Sequence, residues 1–209
     1  MSERSASGTA GTGVPRIWRA GDSPASPWNV ANVLTIVRIL LAPVFVVLLA
    51  ADDGADGPLR YAAAALFIVA IATDGVDGHI ARSRNLVTDL GKLLDPIADK
   101  VLTGAALVML SVLGELPWWV TIVILVRELG ITAYRFAVLR DRVVAASRGG
   151  KLKTVAQAVA ISVALLPLWD AVGDGMHVVN TVLMSIAFVL TVLSGLDYMR
   201  QALRAEPAR

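Results

Sequence analysis

The sequence predicts an all-α fold: an integral membrane bundle of six transmembrane helices, preceded by a juxtamembrane segment. Three observations predict it. The 209 residues are 56% hydrophobic and only 17% charged, with a mean hydropathy of +0.67; soluble domains are about half apolar and about a quarter charged. Six apolar stretches follow one another, each near the roughly 20 residues that cross a bilayer as a helix. Lys and Arg outside those stretches fall almost entirely on alternate connections.

Taken in order, residues 1–27 are rich in Ser, Gly, Thr and Pro and lack the apolar core of a signal peptide, so no cleavage is expected. Residues 1–13 read as disordered. The stretch from Val14 to Trp28 reads as lying along the membrane surface, with Trp18 and Trp28 at headgroup depth. Spans are expected at 29–50, 59–81, 92–113, 117–138, 153–172 and 177–199, inside a transmembrane domain of residues 28–200 with a tail at 201–209. Asp52-Asp53-Gly54 and Gly173-Asp174-Gly175 form turns, and Trp118, Trp119, Trp169 and Tyr198 fall at interfaces. The cationic connections are the N-terminal segment, 82–92, 140–153 and the tail, whereas the opposite ones hold only Arg60. By the positive-inside rule both termini face the cytoplasm. The chain has no cysteine, which excludes disulfides, thiolate metal sites and cysteine nucleophiles.

Residues 74–100 read DGVDGHIARSRNLVTDLGKLLDPIADK. Asp74 and Asp77 are i, i+3 at the end of span two, and Asp95 and Asp99 are i, i+4 at the start of span three. Each pair shares a helix face, and a short antiparallel connection lets all four carboxylates converge just inside the cytoplasmic boundary. Unpaired anions there would be very costly. Divalent cations resolve the cost, and carboxylate-only ligation favours Mg²⁺ or Mn²⁺ over zinc. Two ions bridged by aspartates are the usual apparatus for displacement at phosphorus. The competing reading is helix caps or salt bridges to Arg82, Lys92 and Lys100. Asp53-Gly54-Ala55-Asp56-Gly57 repeats the first five residues of the pattern on the opposite side, with no second aspartate pair, and reads as a solvated acidic turn.

Asp74-x-x-Asp77-Gly78-x-x-Ala81-Arg82, eight residues, then Gly91-x-x-x-Asp95-x-x-x-Asp99 resembles the full signature of the CDP-alcohol phosphotransferase family. The resemblance covers about residues 28–200. It implies an enzyme that moves the phosphatidyl group of a CDP-linked lipid onto an alcohol and releases CMP. It further implies that Asp74, Asp77 and Asp95 hold metal, and that Asp99 completes the set and deprotonates the acceptor hydroxyl. Gly78, Ala81 and Arg82 would surround the CDP moiety, with Gly91 beside them, and the protein would be a homodimer in a bacterial plasma membrane.

Other residues resemble the branch of that family that uses sn-glycerol 3-phosphate, the phosphatidylglycerophosphate synthases. They are Asn85, Thr88, the run Leu94-Asp95-Pro96-x-Ala98-Asp99-Lys100, Arg127-Glu128, Gly150-Lys151-x-Lys153-Thr154-x-x-Gln157 and Asn32-x-x-Thr35-x-x-Arg38. Arg127, Lys151 and Lys153 would meet the dianionic acceptor phosphate. The competing readings are a structural Arg127–Glu128 pair and, for the lysines, simple topology. Asn32 and Thr35 would touch CDP, although with Arg38 they fit interhelical hydrogen bonding equally well. The partners expected are CDP-diacylglycerol, glycerol 3-phosphate and membrane lipids, and no nucleic acid. A sister enzyme using inositol phosphate or phosphatidylglycerol is the nearest rival. An aspartate-lined cation transporter is another, but it requires charge at mid-membrane or on both faces.

Overall fold

The computed structural model describes residues 30–83, 89–138 and 148–204. The expectations for residues 1–27 and for most of the tail lie outside the described residues. Among the described residues seven helices follow in order: α1 (Val30–Asp52), α2 (Pro58–Ser83), α3 (Asp89–Val112), α4 (Trp118–Val138), α5 (Arg148–Leu165), α6 (Trp169–Val172) and α7 (Gly175–Arg204). All regular structure among the described residues is helical. The six long helices correspond one for one to the six apolar stretches. The fifth differs: it ends at Leu165, and Pro167, which has no N–H to donate, separates it from the short α6.

α1 packs most extensively on α2 and α3, and α5 on α7; the two groups meet where α2 and α3 pack on α5 and where α4 lies between α3 and α7. The core between them is rich in alanine, with Ala42, Ala63, Ala64, Ala70, Ala106, Ala160 and Ala164 buried beside Phe45, Phe67 and Leu107. Small residues let helix backbones approach closely where no aqueous driving force presses them together.

Among the described residues two helices, Asn32–Asp52 and Gly175–Gln201, are long and apolar enough to cross a membrane, and only 28% and 22% of their apolar windows are buried inside the bundle. A core helix of a soluble protein would be mostly buried. α1 shows the inversion residue by residue. Asn32, Thr35, Arg38, Ala42, Phe45, Leu49 and Asp52 line its buried face at helical spacing, while Val33, Val37, Leu40, Val44 and Val47 are exposed. Polar groups inside and large apolar ones outside suit an apolar solvent.

The end of the bundle remote from residues 74–99 is tied by Arg60, which is wholly buried. Its two terminal nitrogens donate to the Glu115 carboxylate at 2.5 Å each. The same guanidinium donates to the carbonyls of Ala164 at 2.9 Å and Leu165 at 3.1 Å. Those carbonyls end α5, where the helix stops before Pro167, so Arg60 satisfies orphaned acceptors. Asp52, at the end of α1, accepts from the backbone N–H of Gly57 at 3.0 Å and Arg60 at 3.3 Å, which caps the start of α2.

The expected solvated turn is half right. Asp53 is exposed, at φ 48°. Asp56, however, contacts Arg60 at 3.1 Å and accepts from the Trp169 indole at 3.2 Å. Trp169 also lies under the Arg60 guanidinium and stacks on His177. Arg60→Met would leave Glu115 and Asp56 without their counter-charge. A loss of about 3–5 kcal/mol is expected, read as a lower thermal midpoint in detergent. Asp53→Asn should leave that midpoint unchanged.

Candidate active site

The quartet of aspartates is carried by consecutive helices, with Asp74 and Asp77 on the last turns of α2 and Asp95 and Asp99 on the first turns of α3. The side chains of Asp74 and Asp99 are described. Those of Asp77, Gly78, Ala81, Arg82, Gly91, Asp95 and Lys151 lie outside the described residues, although their backbone falls on α2, α3 or α5.

Asp74 is held by α1. Arg38 Nη1 lies 2.6 Å from Asp74 Oδ1, and Arg38 Nε donates to the carbonyl of Ala70 at 3.3 Å. One buried guanidinium thus grips the carboxylate and the helical turn before it. Arg38 therefore makes the interhelical bond that the sequence left open. Asn32 and Thr35 are buried on the same face of α1.

Asp99 opens a second set of contacts. Lys100 Nζ lies 2.7 Å from Asp99 Oδ2 and 2.7 Å from Glu128 Oε2. The other oxygen of Glu128 takes Lys153 Nζ at 2.5 Å and Arg127 Nη1 at 2.7 Å. Arg127 Nη2 donates to Ser194 at 2.8 Å. One buried carboxylate on α4 therefore gathers cations from α3, α4 and α5, and Arg127 extends the link to α7. A Cβ on Gly195 would stand 3.0 Å from Arg127 Cγ, so that glycine makes room for the arginine stem. One turn along α5 from Lys153, Gln157 donates to Thr191 at 3.0 Å.

Of the residues assigned to the acceptor phosphate, Arg127 and Lys153 are brought to one place, both on Glu128. In the sequence, Glu128 stands out through its place next to Arg127, and Lys100 as the end of the run from Leu94 and as one candidate counter-charge, and neither carries an assigned role toward the acceptor. The available signal was a charge of each sign inside an apolar stretch, which calls for partners on neighbouring helices. Arg127 also borders an apolar groove of about 660 Å³ between α4 and α7, lined by Val126, Gly130, Tyr134, Leu196 and Met199 among others. That lining suits hydrocarbon rather than a polar acceptor.

The donor chemistry fits hard divalent cations. Asp74 and Asp99 offer only oxygen, and their side chains are 43% and 24% exposed, open enough to meet a ligand. The cationic cluster that reaches Asp99 fits an anion: among the described residues, Lys100, Arg127 and Lys153 pair with the carboxylates of Asp99 and Glu128.

Residues 28–193 match the sequence model of the CDP-alcohol phosphatidyltransferase family. Curated relatives agree. A protein of Mycobacterium tuberculosis (strain ATCC 25618 / H37Rv) named "Probable phosphatidylglycerophosphate synthase" is 49% identical over 176 residues, covering 84% of this chain and 82% of the relative. The "CDP-diacylglycerol--glycerol-3-phosphate 3-phosphatidyltransferase" of Bacillus subtilis (strain 168) is 42% identical over 149 residues, 66% of this chain and 77% of the relative. The protein of the same name from Rickettsia typhi is 37% identical over 176 residues, 82% of this chain and 96% of the relative. With its aspartate signature intact and most of its length matched, the chain belongs to the CDP-alcohol phosphatidyltransferase family and is a transferase.

Proposed function

We propose that the protein transfers the phosphatidyl group of CDP-diacylglycerol to sn-glycerol 3-phosphate, giving phosphatidylglycerophosphate and CMP. The observation that carries the acceptor choice is the cation cluster on Glu128, placed beside the Asp99 carboxylate. A phosphorylated alcohol needs a site for its anion next to the base that activates its hydroxyl. The names of the relatives point to the same acceptor.

Asp99 is the base in this reading. It takes the proton of the carbon-1 hydroxyl as that oxygen attacks the β-phosphorus, and CMP leaves. Asp74, Asp77, Asp95 and Asp99 would hold two Mg²⁺ or Mn²⁺ ions, which supply charge neutralisation at the pyrophosphate oxygens. Arg38 keeps Asp74 facing the site. Gly78, Ala81, Arg82 and Gly91 would surround the CDP moiety, with Asn32 and Thr35 on its α1 side, and Arg82 near the leaving phosphate. Arg127, Lys151 and Lys153 would supply the charge that meets the acceptor phosphate.

The same reading takes α1 to α5 and α7 as six spans of a bacterial plasma membrane protein. Both termini and the aspartates lie on the cytoplasmic side, residues 1–27 form a juxtamembrane segment, residues 28–200 the transmembrane domain and 201–209 a tail. The protein works as a homodimer. Arg60 and its partners then lie at the opposite membrane surface.

Incubating the purified protein with CDP-diacylglycerol, Mg²⁺ and each labelled alcohol tests the acceptor. Glycerol 3-phosphate should be incorporated with release of CMP. Incorporation of inositol phosphate or phosphatidylglycerol in its place would overturn the choice. Asp99→Asn should slow CMP release by about 10²-fold or more while its thermal midpoint stays near that of the parent. Near-normal turnover would remove Asp99 from the role of base. Asp53→Asn should retain activity, because that residue is exposed at the other end of the bundle.

A further inference from the structure

The acceptor phosphate must meet a cation that it can reach. Lys153 is 3% exposed, with its ammonium on Glu128 Oε1. Arg127 commits one terminal nitrogen to the same oxygen and the other to Ser194. Its Nε is buried and finds no partner among the described residues, and Arg127 borders the apolar groove. Lys100 is placed differently. It is 21% exposed and touches both Glu128 and Asp99, itself 24% exposed. Among the described cations of the cluster, Lys100 alone contacts the carboxylate that would take the hydroxyl proton.

We propose that Lys100 is, among the described cations, the one that binds the acceptor phosphate, and that Glu128 is a positioning residue that holds it there. This inference rests on the acceptor reading above and reorders its residues. Lys153 and Arg127 act from behind Glu128, as fixed charge. Three cations from three helices around one carboxylate repel one another, and two oxygens at 2.5–2.7 Å are what keep them gathered. Among the described residues the cluster sets three cations against the carboxylates of Glu128 and Asp99, and an incoming phosphate adds negative charge to it. Lys100 then turns from Asp99 Oδ2 to the phosphate while it stays on Glu128 Oε2. That movement frees an oxygen of Asp99 beside the acceptor hydroxyl, so binding of the phosphate and exposure of the base become one event.

The bland alternative is that Lys100 only neutralises Asp99. Steady-state kinetics separate the two. Lys100→Met should raise KM for glycerol 3-phosphate about 10- to 100-fold, the worth of one charge-assisted hydrogen bond. KM for CDP-diacylglycerol should change less than about twofold, well under the energy of such a bond. Lys100→Arg should recover part of the loss, and Glu128→Gln should raise the same KM. A fall in kcat with both KM values unchanged in Lys100→Met would overturn the proposal. So would a rise in KM for glycerol 3-phosphate in Lys153→Met but not in Lys100→Met, which would leave the acceptor reading standing. If the parent incorporates no glycerol 3-phosphate at all, the acceptor reading itself fails.

A measurement on the unsubstituted protein guards against variants that do not fold. Lysine acetylation is followed by mass spectrometry with CDP-diacylglycerol and Mg²⁺ absent, so that no turnover intervenes. Glycerol 3-phosphate should slow modification of Lys100, and glycerol, which lacks the phosphate, should not. Equal modification of Lys100 under both conditions would also overturn the proposal.

Discussion

The carboxylate of Glu128, with Lys100, Lys153 and Arg127 on its two oxygens, is the interaction on which the working end of the bundle depends. A buried charge without a partner costs several kcal/mol, and removing one member of a buried pair costs about as much again as most single core mutations. These side chains leave three different helices and can meet only if the helices stand in one arrangement. The pairing therefore selects the geometry of α3, α4 and α5, and the Arg127–Ser194 bond extends that selection to α7. Arg38 on Asp74 does the same for α1 and α2.

The opposite end obeys the same constraint through a different solution. Pro167 stops α5 early, which leaves its last carbonyls without intrahelical donors. Arg60 supplies those donors and neutralises Glu115 and Asp56 in the same place. Between the two polar ends the helices pack through alanine and a few large side chains, and they turn valine and leucine outward. Polar networks give the bundle its specificity, while close packing of small residues gives it contact.

Much of the site was legible because the family signature is a local pattern. Asp74 through Asp99 spans one helix end, one connection and the next helix start, so spacing alone puts two carboxylates on each of two consecutive helices. The same spacing also misleads, since Asp53–Gly57 copies half of it. Only the fold shows that Asp56 belongs to Arg60 and Trp169 rather than to solvent, because Trp169 is remote in sequence and arrives there through α6. The cation cluster was half legible. Arg127 and Lys153 could be named as charges out of place in apolar stretches, but a charge inside a span does not name its partner.

What the sequence by itself determined is the six long helices and the spacing of the aspartate quartet along two of them, because hydropathy and helical periodicity act over short distances. The early stop of α5 was also written locally, in Pro167, although the apolar run concealed it. Tertiary structure alone decided which charges meet. Glu128 joins α3, α4 and α5, and Arg60 joins α2 to the turn after α3 and to the end of α5, across separations that no local pattern encodes. The physical reason is that a buried ion takes its partner from whichever helix lies within about 3 Å, and the packing of the whole bundle sets that neighbour.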